Sequence, residues 1–178
     1  GELGYEIYVA PQFHLKLFEE IEANGKDLGL KLYGSRALMS LRLEKNWGVW
    51  TLDFRPDFTA LESGLDAFIN WDKNFVGKEA ALNEKKQGPN KKLVTMTVDT
   101  NNIDVTNDEA ILKDNKCVGY VTSGGYAHHI KKSMALGYVP TNFSKHETIL
   151  DIEINGKFYK AHVTERPLYD VNSRRMKS

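Results

Sequence analysis

The sequence predicts an α+β protein in which a helical first part is followed by an all-β second part. Three observations carry this prediction. Apolar residues recur every three or four positions ahead of Trp47, the spacing of amphipathic helices. The breaker cluster Gln87-Gly88-Pro89-Asn90 then interrupts the chain. Beyond it, short alternating apolar runs are punctuated by turn residues, which is the pattern of a small barrel or sandwich.

The elements follow in order. Gly1 to Tyr5 reads as a turn entering a strand, Tyr5 to Val9, so the chain is expected to open inside a larger fold. Pro11 suits a first helical turn, and Phe13, Leu17 and Ile21 with Phe18 predict a helix over Gln12 to Ala23, stopped by Gly25. A second helix is expected over Ser35 to Leu43 with Ala37, Leu38 and Leu41 on one face. Trp47 to Phe54 reads as extended or loop, and a short strand is expected near Ala67 to Trp71. A helix over Lys78 to Lys86 closes the first part.

In the second part, Val94, Met96 and Val98 alternate with threonines. Lys113-Asp114-Asn115-Lys116 reads as a turn between two strands, and Thr122-Ser123-Gly124-Gly125-Tyr126 as a tight glycine turn. Met134 to Val139 is a strand, and Asn155-Gly156 between Leu150-x-Ile152-x-Ile154 and Phe158 to Val163 is a hairpin signal.

Composition bounds the function. Of 178 residues, 41% are hydrophobic and 27% charged, enough apolar material for a core in one ordinary domain or two small ones. Lys plus Arg and Asp plus Glu number 24 each, so the basic surplus of a nucleic-acid binder is absent. No apolar run approaches the ~20 residues of a membrane span. Cys117 is the only cysteine, which excludes an internal disulfide and points to a reducing compartment, cytoplasm or mitochondrial matrix. Adjacent His128 and His129 would point to opposite faces of a strand, and the other histidines are scattered, so no metal set is expected. Glu2, an acidic residue between two glycines at a strand entrance, suits a solvated surface. It also has the chemistry to accept two parallel hydrogen bonds from a 2-amino-4-oxo-pyrimidine ring.

Several segments, in order, resemble the glycine-cleavage T-protein family: Gly1-Glu2-Leu3-Gly4-Tyr5-Glu6, Leu41-Arg42-Leu43-Glu44-Lys45, Leu61-Glu62-Ser63-Gly64-Leu65, Phe75-Val76-Gly77-Lys78-Glu79-Ala80, Val118-Gly119-Tyr120-Val121-Thr122-Ser123-Gly124 and Ala135-Leu136-Gly137-Tyr138-Val139. Tyr33-Gly34-Ser35-Arg36-Ala37, Leu52-Asp53-Phe54-Arg55-Pro56-Asp57 and the ending Pro167 to Arg175 resemble its sarcosine and dimethylglycine dehydrogenase branch.

The resemblance implies part of a ferredoxin-like αβ domain, residues 1–88, followed by a small antiparallel β-barrel, residues 91–172. It implies tetrahydrofolate as cofactor and one-carbon transfer from a methylated amine, with FAD in an N-terminal domain of the parent chain. A stand-alone aminomethyltransferase and a non-catalytic folate-binding module are the alternatives. The expected folate-binding residues are Glu2 (gripping the pterin), Arg36, Arg42 and Tyr126. Arg42 has a structural alternative, an ion pair near Glu44. The family's helix arginine aligns with Leu38; Arg36 lies two residues upstream, about 200° around the helix. The family's catalytic aspartate belongs to an N-terminal half, the expected partner of this chain, so no catalytic residue is named here.

Overall fold

The computed structural model describes residues 3–164 and 167–177. The architecture is α+β, with a closed six-stranded antiparallel barrel as its compact part. Its strands are β1 (Lys91–Val98), β2 (Ala110–Lys113), β3 (Lys116–Ala127), β4 (Lys132–Pro140), β5 (Ile149–Ile154) and β6 (Lys157–Thr164). They close in the order β1-β4-β3-β2-β5-β6, β6 returning to β1 through pairs such as Met96 with Val163. Closure leaves no strand edge unpaired.

Alternation builds the barrel interior. Val94, Met96 and Val98 of β1, Leu150, Ile152 and Ile154 of β5, and Ala161 and Val163 of β6 pack with Ile111, Val121, Ala135 and Val139. The two tight hairpins use the residues expected of them. Asp114 and Asn115 lie at φ 50° and 60°, and Asn155 and Gly156 at φ 51° and 75°, the left-handed pair that matches strand twist.

Strand β4 is buried on both faces. Its outward Met134 and Leu136 meet Leu43 and Ala127 in a second apolar cluster. Leu43 comes from α2 (Ser35–Glu44), the helix that lies against the barrel wall. The expected apolar face of α2 is not its docking face: Leu38 and Leu41 are exposed, whereas Arg42, Leu43 and Glu44 are buried. The helix docks through its last turn, with polar partners on the barrel that apolar periodicity does not register.

Helix α1 (His14–Gly25) buries no residue, and a 3-10 turn over Lys26–Leu28 prolongs it to Gly29. Gly29, at φ 78°, is therefore the stop rather than Gly25. Helix α3 (Lys78–Gln87) sits between Gly77 and Gly88, both at φ 86°. A four-residue helix, α4 (Arg174–Lys177), lies at the end of the chain.

Three expectations change. Tyr5 to Val9 is extended without a ladder, because no described strand lies beside it to accept its hydrogen bonds. Around Ala67 a 3-10 turn, Asp66–Phe68, replaces the expected strand, closed locally by Phe68 N–H to Leu65 O and Ile69 N–H to Asp66 O. The glycine pair at 124 and 125 lies inside β3 and not in a turn. A Cβ on Gly124 would fall 2.5 Å from the Val105 carbonyl oxygen, so glycine serves close backbone approach there.

Candidate functional site

A buried carboxylate stands at the centre of the joint between the first part and the barrel. Asp53 is fully buried and accepts from Arg42 Nη1 at 2.8 Å, Val49 N–H at 2.9 Å, Thr122 Oγ1 at 2.5 Å and Ser123 Oγ at 2.8 Å. Consecutive residues of a regular strand face opposite ways. The register shift in β3 between Val121 and Ser123 lets both neighbouring hydroxyls reach the same oxygen. Arg42 also donates to Ser123 Oγ at 2.7 Å and Trp47 O at 3.2 Å. Burial lowers its pKa, and Asp53 opposes that shift.

Beside this cluster the Tyr138 hydroxyl donates to Asp53 O at 2.9 Å and lies 2.7 Å from Ser63 Oγ. Phe58 stacks on the Tyr138 ring at 3.5 Å between centroids. Burial pushes the Tyr138 phenol up to about 12, so it is a neutral donor at every physiological pH.

Two cavities matter here, one at the start of α2 and one in the segment after it. One, about 590 Å³, lies between the start of α2, the 104–106 segment and the glycine stretch of β3. Its lining includes Arg36, Ser40, Asp104, Gly125, Tyr126 and His128. Ser40 Oγ donates to Tyr126 O at 2.5 Å, tying the helix to this stretch of β3. The His128 ring meets the Tyr126 ring edge-on at 5.0 Å. The other cavity, about 730 Å³, is apolar and aromatic, with Trp47, Trp50, Phe54 and Phe68 in its wall.

The four expected site residues are thus distributed unequally. Arg36 and Tyr126 line one cleft, placing a cation and an aromatic ring together. Arg42 lies behind the cleft, its guanidinium engaged by Asp53, Ser123 and the Trp47 carbonyl. Glu2 lies outside the described residues. Among the described residues no cluster of histidine, cysteine and carboxylate could hold a metal. No described helix is long and apolar enough to cross a membrane.

Sequence reasoning passed over Asp53 and the pair formed by Glu44 and His129. Glu44 is fully buried; its Oε1 lies 2.5 Å from His129 Nδ1, and its Oε2 accepts the His129 N–H at 3.0 Å. A carboxylate set between Leu52 and Phe54 was the available signal for Asp53, since a buried carboxylate requires donors.

Comparison with known proteins places this geometry. The glycine cleavage T-protein C-terminal barrel domain matches residues 91–170, and the GCVT N-terminal domain matches residues 1–73. The chain belongs to the glycine-cleavage T-protein family. It is 37% identical over 170 residues to mitochondrial dimethylglycine dehydrogenase of Mus musculus, covering 94% of this chain and 20% of that protein. It is 35% identical over 173 residues to an aminomethyltransferase of Caldanaerobacter subterraneus subsp. tengcongensis, covering 97% of this chain and 46% of the other. The fold matches the crystal structure of glycine cleavage system aminomethyltransferase T from Bartonella henselae, with a TM-score of 0.81 at 24% identity, over 90% of this chain and 45% of that one. The chain therefore spans less than half the length of these T-protein relatives. The 590 Å³ cleft has the Arg36 cation, the Asp104 carboxylate and the rings of Tyr126 and His128 in one lining.

Proposed function

We propose that this chain is the folate-binding C-terminal part of a tetrahydrofolate-dependent one-carbon transfer enzyme of the sarcosine and dimethylglycine dehydrogenase type. The observation that carries this reading is the cleft lined by both Arg36 and Tyr126 in a chain 37% identical to dimethylglycine dehydrogenase. In this reading tetrahydrofolate, when bound, accepts the carbon released from a methylated amine, and FAD belongs to a preceding domain of the parent chain. Arg36 holds the anionic tail, Tyr126 forms a wall of the cleft and Glu2 grips the pterin. Arg42 acts from behind, by fixing α2 through Asp53.

Residues 1–88 and 91–172 form two domains in this scheme, the first incomplete without an N-terminal half of the same enzyme. The exposed apolar side chains of Tyr5, Ile7, Phe13, Leu15, Leu28 and Leu32 support that partner. The mitochondrial dimethylglycine dehydrogenases support a matrix location, with cytoplasm as the alternative. A stand-alone aminomethyltransferase is the second reading, supported by the 35% identity to the Caldanaerobacter protein; an absorbing flavin in the parent protein would decide against it.

Calorimetry with folinic acid tests the assignment. The full-length protein should bind it, and Glu2→Ala should abolish binding while flavin reduction by the amine continues. Equal loss of both, or no binding by the unaltered protein, overturns the reading. The isolated chain should bind folinic acid weakly or not at all, because pockets between domains need both walls. Micromolar binding by the isolated chain would show that the second wall is unnecessary.

A further inference from the structure

Helix α2 carries Arg36 in its first turn, where the side chains of Ser35 to Leu38 are exposed. Its placement in the cleft therefore depends on what grips its other end. Two of the grips at that end come from residues 169 and 170, more than a hundred positions along the chain. Lys45, the residue that caps α2, pairs with Asp170 at 2.8 Å, with side chains only 4% and 10% exposed. Tyr169 N–H donates to Glu44 O at 3.3 Å, and the Tyr169 ring stacks on His129 at 4.3 Å and 26°. His129 in turn holds the buried Glu44 carboxylate. The same Asp170 carboxylate accepts the backbone N–H groups of Arg174 at 2.8 Å and Arg175 at 3.3 Å. Asp170 thus starts α4 as well as closing on α2. From α4, Arg175 O accepts Leu3 N–H at 3.4 Å, so the tail also touches the extended segment that opens the described chain.

We propose that Asp170 is a positioning residue for the folate cleft: through Lys45 it straps the C-terminal tail across the end of α2 and so sets where Arg36 stands. This rests on the folate reading above. The argument is one of rigidity. A ten-residue helix transmits a displacement at its last turn to its first, and the α2 residues ahead of Met39 have no buried contact to correct it. The ion pair is nearly buried at both ends, so solvent and salt screen it little. The tail also gives a backbone hydrogen bond to Glu44 O and stacks Tyr169 on His129, the partner of the Glu44 carboxylate, so these contacts fall on the same end of α2.

The test uses the full-length protein, with folinic acid binding by calorimetry and unfolding by denaturant measured on the same samples. Asp170→Asn keeps a group able to accept from the α4 backbone and removes the charge that holds Lys45. It is expected to weaken folinic acid binding about tenfold or more, the scale of loss when a positioned group shifts by a fraction of an ångström to an ångström. Lys45→Met should weaken binding at least as much, and adding Asp170→Asn to it should cause little further loss, since the contact between the two is already gone. Asp170→Glu, which retains the charge, should recover part of the affinity. Flavin reduction by the amine should be unchanged in all of them. If Asp170→Asn lowers the unfolding midpoint but leaves the affinity unchanged, Asp170 is structural only and the proposal fails. If Asp170→Asn and Lys45→Met do not fold, Asp170→Glu provides the measurement, since it keeps the charge but changes the length of the strap: a partial loss of affinity with flavin reduction retained supports the strap, and affinity equal to that of the unaltered protein rejects it. If the unaltered protein does not bind folinic acid, the folate reading itself falls, an outcome distinct from the failure of the strap.

Discussion

At the scale of residues, Asp53 decides how the two parts of the chain are joined. Its four donors come from α2, from its own loop and from the bulge of β3. Replacing it by alanine leaves Arg42 buried with its charge uncompensated and takes the shared acceptor from Thr122, which keeps only the Leu136 carbonyl, and from Ser123, which keeps only Arg42. Breaking a buried pair from one side costs about 3–5 kcal/mol, whereas replacing both partners by apolar groups of similar size is often neutral. Denaturant unfolding of Asp53→Ala should therefore show a loss of that size, and the double change Asp53→Leu with Arg42→Met should recover most of it. A double variant as unstable as Asp53→Ala would mean that the loop hydrogen bonds, rather than the charge, carry the joint. Tyr138 contributes in a different way. Its phenol remains protonated until about pH 12, so its bond to the Asp53 carbonyl persists whatever the solution pH does to surface groups.

At the scale of elements, the β-part was legible in the sequence and the helical part only in outline. The Asn155-Gly156 and Asp114-Asn115 turns need left-handed backbone that their side chains tolerate, and both formed as expected. Alternation marked β1, β5 and β6 because a closed barrel has one apolar inside and a period of two. The 122–126 stretch misled, since its glycines suit a turn equally well; a neighbour remote in sequence, the Val105 carbonyl, explains Gly124, whereas Gly125 meets only Leu43 at 3.7 Å, an ordinary contact. The docking face of α2 was hidden for a related reason: its buried residues include Arg42 and Glu44, whose partners are Asp53 and His129. Of the candidate site, Arg36 and Tyr126 were proposed beside the family resemblance, and the fold puts both in the lining of one cleft. Gly124→Val tests the close-approach account of β3. A valine there must displace the Val105 carbonyl or bend the strand, and overpacking of this kind costs about 1–3 kcal/mol or more. Unchanged stability, measured by denaturant unfolding, would show that the 104–106 segment yields without cost.

At the scale of the whole molecule, order is distributed from the barrel outward. The barrel has a packed interior, no free edge and a second apolar cluster on its β4 face, to which α2 adds Leu43 from its last turn. Helix α1 and the segment before it bury nothing, so their hydrogen bonds face water and their apolar side chains have no core to leave. Local opening is cheap where few buried contacts are lost and approaches the cost of global unfolding where many are. Native-state hydrogen exchange of this chain should therefore resolve three levels. The amides of β1, β3 and β4 should exchange slowest, and Leu43 to Lys45 should follow them closely because Asp53, His129 and Asp170 hold that turn. The α1 amides should exchange far faster than either, with protection little above that of an isolated peptide helix, which at twelve residues is marginal in water. Protection of α1 equal to that of β4 would mean that α1 has a packing partner in solution, and the apolar surface from Tyr5 to Leu32 would be the place to look for it.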